Sequence, residues 1–152
     1  MEKGDVTEGT KDFQKVRISG VYMANSGEGV TPIVFLDNEK ERILPIYIGG
    51  AEAFSIQTAL EKLPYPRPLT HDLLVSILEG FQSKIEKVLI DDLNDGVFFA
   101  RIIVRKNGDE YEFDARPSDS LALAIRTEAP VYVSNRVMES ASVDKGTYKL
   151  GQ

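Results

Sequence analysis

Arg116-Pro117-Ser118-Asp119-Ser120-Leu121-Ala122-Leu123-Ala124-Ile125-Arg126 joins the most apolar helical run of the chain to its most polar doorway. Proline suits the first helical position, where its missing N–H is not needed, and Ser118 and Asp119 fall in the opening turn, where the helix macrodipole favours oxygen and negative charge. Leu121 to Ile125 are apolar on every side rather than along one stripe, which marks a helix packed from several directions. This is the expected central helix. Just upstream, Asp114-Ala115-Arg116 closes a β-patterned run, so an acid, an arginine, a second acid and a row of helix N–H groups meet at one strand-to-helix junction. Such a junction can hold an anion or a metal ion.

Working outward, Asn107-Gly108 is a two-residue hairpin signal between Val97–Arg105, with Phe98, Ala100, Ile102 and Val104 on one face, and Glu110–Asp114. Lys84–Leu93 supplies a third strand through the turn Asn94-Asp95-Gly96. Towards the N-terminus, Phe13–Ala24, Pro32–Leu36 and Ile43–Ile48 read as strands, with Leu44, Ile46 and Ile48 facing inward by the period of two. Ala53, Phe54, Ile56, Leu60 and Leu63 recur at helical spacing up to Pro64. Pro64, Pro66 and Pro68 make Leu63–Leu69 a stiff connector. Thr70 is the expected N-cap of the next helix, with Leu73, Leu74, Ile77, Leu78 and Phe81 as its buried stripe. After Glu128-Ala129-Pro130, Val131–Val133 reads as a short strand and Asn135 as the cap of a last short helix reaching Met138. Hairpin-then-helix occurs at 31–63 and again at 97–128, a weak internal echo. Residues 1–12 are expected to be a loose leader, 13–143 the folded domain, and 144–152 a flexible tail.

The totals narrow the function. A chain of 152 residues fits a single domain that buries about 68–70% of its unfolded surface. With no cysteine there is no disulfide, thiol nucleophile or cysteine-ligated metal centre, which accords with a cytoplasmic location. No export signal or apolar run of about 20 residues is present, so no membrane association is expected. A net charge of −6 disfavours broad, salt-driven adhesion to nucleic acid while leaving room for a local phosphate site.

Two stretches share one logic. Arg67-Pro68-Leu69-Thr70-His71-Asp72 and Arg116-Pro117-Ser118-Asp119 each place an arginine, held extended by the next proline, before a hydroxyl and an acid in a helix start. On a structural reading the hydroxyls cap, the acids stabilise dipoles and the arginines pair locally with them. On a functional reading both starts face one cleft: Arg67 and Arg116 hold phosphate oxygens, and Asp72, Asp114 and Asp119 bind Mg²⁺ or Mn²⁺. His71 is the only histidine, so a two-histidine acid–base cleavage within one chain is excluded. A Ser-His-Asp relay stays formally open, without a Gly-x-Ser-x-Gly elbow to support it. Glu52 is a further conceivable ligand or a dipole-stabilising acid. Glu110 and Glu112 read as a solvated strand face, and Arg101 with Arg105 as a basic stripe too short to signal nucleic acid. Phosphate loops and dinucleotide fingerprints are absent.

Leu44-Pro45-Ile46-Tyr47-Ile48-Gly49, Glu52-Ala53, Arg67–Leu73, Asp92–Gly96, Asp114–Asp119 and Ala129–Val133 together resemble the bifunctional nuclease (BFN) domain family over about residues 13–143. Tyr47 stands where many members have tryptophan, and Ser120 where many have a small residue. The resemblance implies a compact α+β fold with a mixed, largely antiparallel sheet, three main helices and a short C-terminal helix. It also implies self-association as a homodimer or larger oligomer, and hydrolysis of both RNA and DNA. The expected function is therefore metal-assisted phosphodiester hydrolysis, with His71, Asp72, Asp114 and Asp119 as catalytic residues. The alternative is a non-catalytic oligomeric or anion-binding module whose polar helix starts hold the fold together.

Overall fold

Alternating apolar side chains drive the hairpin strands to share an inward face, and the computed structural model, which describes residues 12–148, places eight of them in one sheet. The strands are β1 (Phe13–Ser26), β2 (Gly29–Asp37), β3 (Arg42–Tyr47), β4 (Lys84–Asn94), β5 (Val97–Lys106), β6 (Asp109–Ala115), β7 (Val131–Ser134) and β8 (Val143–Asp144). Their spatial order is β6-β5-β4-β7-β1-β2-β3-β8. All neighbouring pairs are antiparallel except β4 with β7, where Val88 faces Val131 in parallel register. Short β7 thus joins the two three-stranded meanders into one mixed, largely antiparallel sheet.

The helices are α1 (Gly50–Glu61), α2 (Thr70–Gly80), α3 (Pro117–Thr127) and α4 (Asn135–Ala141). The architecture is the expected α+β fold, and none of the helices is long and apolar enough to cross a membrane. The echo between 31–63 and 97–128 becomes geometry: β2-β3-α1 and β5-β6-α3 each run hairpin into helix, and α1 packs against α3. Turns at Asp95-Gly96 and Asn107-Gly108 have positive φ at both residues, at 53°/77° and 53°/83°. That conformation follows the right-handed twist of the strands they join.

The reading of α3 as the central helix holds. Leu121 and Ala122 are fully buried, and Leu123 and Ala124 nearly so. They pack in one cluster with Val34, Leu36, Leu44 and Ile46 of the first meander and Val88, Ile90, Ala100 and Ile102 of the second. The other side of the sheet has smaller clusters, Phe13-Leu89-Ile103 and Ile33-Phe35-Ile43, the latter packed by Tyr22 and Tyr148.

Several expectations are corrected. In α2 the stripe does not face the core: Leu73, Leu74, Ile77 and Phe81 are 51%, 41%, 47% and 68% exposed. Of the expected stripe Leu78 does pack against the core, joined by Val75, and His71 is the buried residue of the helix. Periodicity reveals an apolar stripe but not what it faces. The three-proline connector delivers α2 with its edge, not its apolar face, against α3. Phe54 of α1 is likewise half exposed. Thr70 is the first helical residue rather than the cap; Leu69 is the N-cap, and its backbone N–H donates to Asp72 Oδ2 at 2.9 Å. Ser134, not Asn135, caps α4, with its Oγ accepting the Val137 N–H at 3.1 Å. Regular structure also continues past the boundary drawn at 144: β8 pairs with β3, and Lys145–Thr147 form a 3-10 turn. Of the expected leader, residues 1–11 lie outside the described residues, as do 149–152 of the tail.

Leu121 is fully buried in the core cluster, so Leu121→Ala is expected to destabilise the fold by about 3–5 kcal/mol, through lost burial plus the cavity left behind. Urea unfolding followed by circular dichroism measures it, and a loss under about 1 kcal/mol would show that α3 is not central.

Candidate functional site

Because α1 and α2 both pack on α3, the polar first turns of three helices are drawn towards one place. A continuous chain of side chains results. Glu52 of α1 accepts from Arg116 Nη1 at 3.2 Å. Arg116, the N-cap of α3, grips Asp119 with Nε to Oδ2 at 3.0 Å and Nη2 to Oδ1 at 3.2 Å. Asp119 Oδ1 lies 2.9 Å from His71 Nε2, and His71 Nδ1 lies 2.7 Å from Ser55 Oγ of α1. Gly49, before α1, leaves room for this arrangement: a Cβ there would run into the Glu52 carboxylate.

Exposure is graded along the chain. The side chains of His71, Asp119 and Arg116 are 11%, 33% and 62% exposed. The inner end is dry and the outer end is wet. Burial alone would raise the Asp119 pKa, but hydrogen bonds from Arg116 and His71, with their charge, hold it below the ordinary carboxylate value. Asp119 in turn, with Glu52, raises Arg116 further. An ionised Asp119 can only accept, so His71 Nε2 carries a hydrogen; in the neutral imidazole Nδ1 is then the acceptor and Ser55 Oγ–H donates to it.

This chain borders a cavity of about 770 Å³ whose wall includes Leu74, Leu78, Ile102, Val104, Phe113 and Leu123. Asp114, exposed at the end of β6, is part of the same wall. Glu52 and Arg116 also border a second cleft of about 440 Å³ beside Gly96 and Pro117, so this pair stands between the two.

The remaining predicted residues go elsewhere. Asp72 receives Arg126 Nε at 2.7 Å, which lowers its pKa; this ion pair at the α2–α3 contact has an arginine side chain only 9% exposed. Asp72 and Arg67 line a separate cavity of about 380 Å³. The start of α2 therefore shares the larger cavity with the start of α3 through Thr70 and His71, while its Arg67 and Asp72 line the other one. Among the described residues no three of His, Asp and Glu are gathered closely enough to hold one ion, so Asp72, Asp114 and Asp119 do not fit Mg²⁺ or Mn²⁺ as a shared donor set. The Arg101–Arg105 stripe is internally neutralised: Arg101 pairs with Asp91 and Glu112, and Arg105 with Glu86 and Glu110, across β4, β5 and β6.

Two participants escaped the sequence reading, Ser55 and Arg126. Ser55 sits in mid-helix with no motif around it. Arg126 had a signal, a cation in the last turn of its helix, but its partner is 54 positions away.

A family model described as the bifunctional nuclease domain matches residues 33–146. An uncharacterised protein of Mycobacterium tuberculosis (strain H37Rv) is 35% identical over 130 residues, covering 85% of this chain and 76% of that one. Bifunctional nuclease 1 of Oryza sativa subsp. japonica is 23% identical over 108 residues, covering 69% of this chain and 33% of the plant protein. Bifunctional nuclease 2 of Arabidopsis thaliana is 23% identical over 116 residues, with 69% and 35% covered. The matched region contains all five members of the Glu52–Ser55 side-chain chain.

A carboxylate held below its unfolded pKa of about 3.9 stabilises the fold above that pH, and the contribution fades as pH falls through the folded value. Asp119→Asn is therefore expected to be less stable than the parent at pH 7, by about 1–2 kcal/mol for weakened charged hydrogen bonds, and the gap should shrink as pH falls below the unfolded value of about 3.9 and through the lowered folded one. Parallel urea titrations at several pH values read this; a gap that widens on acidification would contradict the assignment.

Proposed function

The chain belongs to the bifunctional nuclease domain family, and on that premise we propose that it hydrolyses phosphodiester bonds of RNA and DNA at the Arg116–Asp119–His71 cluster. The observation that carries the reading is the bidentate Arg116–Asp119 pair locked to His71 at a cavity mouth. Arg116 has five N–H donors. Its bonds to Asp119 and Glu52 engage three nitrogens once each, which leaves two N–H groups on a side chain 62% exposed for a phosphate oxygen. As negative charge grows on the phosphoryl oxygens, a guanidinium already fixed in place stabilises it without reorganising.

A water attacks the phosphorus and gives its proton to His71 Nδ1, the P–O bond to the departing sugar oxygen breaks and that oxygen takes the proton, while Asp119 fixes the tautomer through Nε2. The scissile phosphate sits at the mouth of the larger cavity, which Arg116 and His71 both border, and the outer cleft beside Gly96, lined by Arg116 and by Glu52 but not by Asp114 or Asp119, carries the adjoining sugar-phosphate chain. No step is assigned to Asp72 or Arg67, which serve the neighbouring cavity, nor to a metal ion, for which the carboxylates are not grouped. The proposal extends to assembly. Leu73, Ile77 and Phe81 present an apolar face larger than isolated exposed residues would give, and a second copy of this chain is the partner assigned to it.

Freshly purified protein is expected to cut single-stranded RNA and DNA, with Arg116→Ala and His71→Ala each slowing cleavage by about 10²–10³-fold. Reactions with Mg²⁺, with Mn²⁺ and with chelator read any dependence on ions. Cleavage unchanged in both variants would assign it to a contaminant or another site. Light scattering is expected to give a dimer or larger species, reduced to a monomer by the double variant Leu73→Glu, Ile77→Glu; a monomeric parent protein would remove the assembly proposal.

A further inference from the structure

The inner end of the side-chain chain has a different chemical character from its outer end. Ser55 and His71 are both buried, at 8% and 9% exposure, yet both border the 770 Å³ cavity. With Nε2 protonated against Asp119, the Ser55 hydroxyl donates to Nδ1 at 2.7 Å. Serine, imidazole and carboxylate thus stand in the order of an activated-nucleophile relay. The serine uses Nδ1 and the acid Nε2, and either ring nitrogen can act as the base once the other is held by a carboxylate.

The cavity also points to the substrate. Its wall is mostly aliphatic and aromatic, and its ionisable lining, besides His71, sets three carboxylates, Glu52, Asp114 and Asp119, against the single guanidinium of Arg116. Such an interior repels an anion and accepts a neutral, apolar group. Its size suits a small-molecule ligand. We propose that Ser55, His71 and Asp119 form a serine-hydrolase relay that cleaves neutral carboxylic esters whose apolar acyl group occupies this cavity. The inference rests on the relay and the wall and does not depend on the nuclease reading.

The step balances with water as the only co-reactant. Ser55 Oγ bonds to the ester carbonyl carbon while its proton passes to His71 Nδ1; the carbon–alkoxy bond then breaks, and the alcohol leaves with that proton. Water next attacks the acyl-serine and gives a proton to Nδ1. The bond to Ser55 Oγ breaks, and the serine recovers the proton as the carboxylic acid departs. Asp119 keeps Nε2–H oriented throughout and stabilises the imidazolium. Thr70 and His71, the first two residues of α2, line the cavity, and the first-turn N–H groups of a helix, which have no intrahelical partner, are the donors available to the carbonyl oxygen charge.

The test uses the full chain with p-nitrophenyl butyrate and, separately, a fluorophosphonate probe, with the labelled residue located by peptide mass. Ester hydrolysis above buffer and labelling at Ser55 are expected, with both lost in Ser55→Ala and hydrolysis falling about 10³-fold or more. Site mapping on the unaltered protein needs no variant to fold. No labelled serine, a label only elsewhere, or full hydrolysis by a folded Ser55→Ala would overturn the inference. Ser55 labelling without RNA or DNA cleavage would uphold it while removing the nuclease reading, and the reverse result would do the opposite.

Discussion

The constraint on which the structure turns is that α3 buries four consecutive residues, Leu121 to Ala124, while starting in a turn that carries an arginine and a carboxylate. A helix apolar on every side has to be surrounded, and this one is packed by β4, β5, α1 and α2. The neighbours that cover its body necessarily bring their own ends close to its beginning. Glu52, Ser55 and His71 therefore meet Asp119 as a consequence of core packing, without any loop reaching across to deliver them. Elements rigidly held by a core position side chains more closely than mobile loops do.

The strand and helix pattern, the central place of α3, and the position of His71, Asp119 and Arg116 at polar helix starts were legible in the residues, because each rests on local chemistry: periodicity, turn residues and helix-start signals. What was not legible depends on rotation and partnership at long range. Leu73, Ile77 and Phe81 have the spacing of a buried stripe and face outward, since the spacing is the same whichever neighbour α2 presents it to. Asp72 and Asp119 occupy matching places in two similar motifs, yet one is claimed by Arg126 and the other by Arg116 and His71. A pairing between helices separated by dozens of residues leaves no mark in either segment. Ser55 was invisible for the same reason: a serine in mid-helix acquires meaning only when a histidine from another helix lies 2.7 Å away.

Pairing also explains how an acidic chain keeps a usable cation. The guanidiniums of Arg101, Arg105 and Arg126 are each met by carboxylates within the sheet or between helices, and so hold structure together. Arg116 is paired too, with one hydrogen bond at each of its three nitrogens, yet its side chain stays 62% exposed and two N–H groups remain. Because the bonds to Asp119 and Glu52 fix its geometry, little rotamer entropy remains to be lost when an anion arrives at those two donors. The carboxylates that hold Arg116 also make the space behind it hostile to anions. Glu52 and Asp119, the two acids that position the cation, thus join Asp114 in reserving the cavity beyond for uncharged groups, and one cluster acquires two chemically distinct sides.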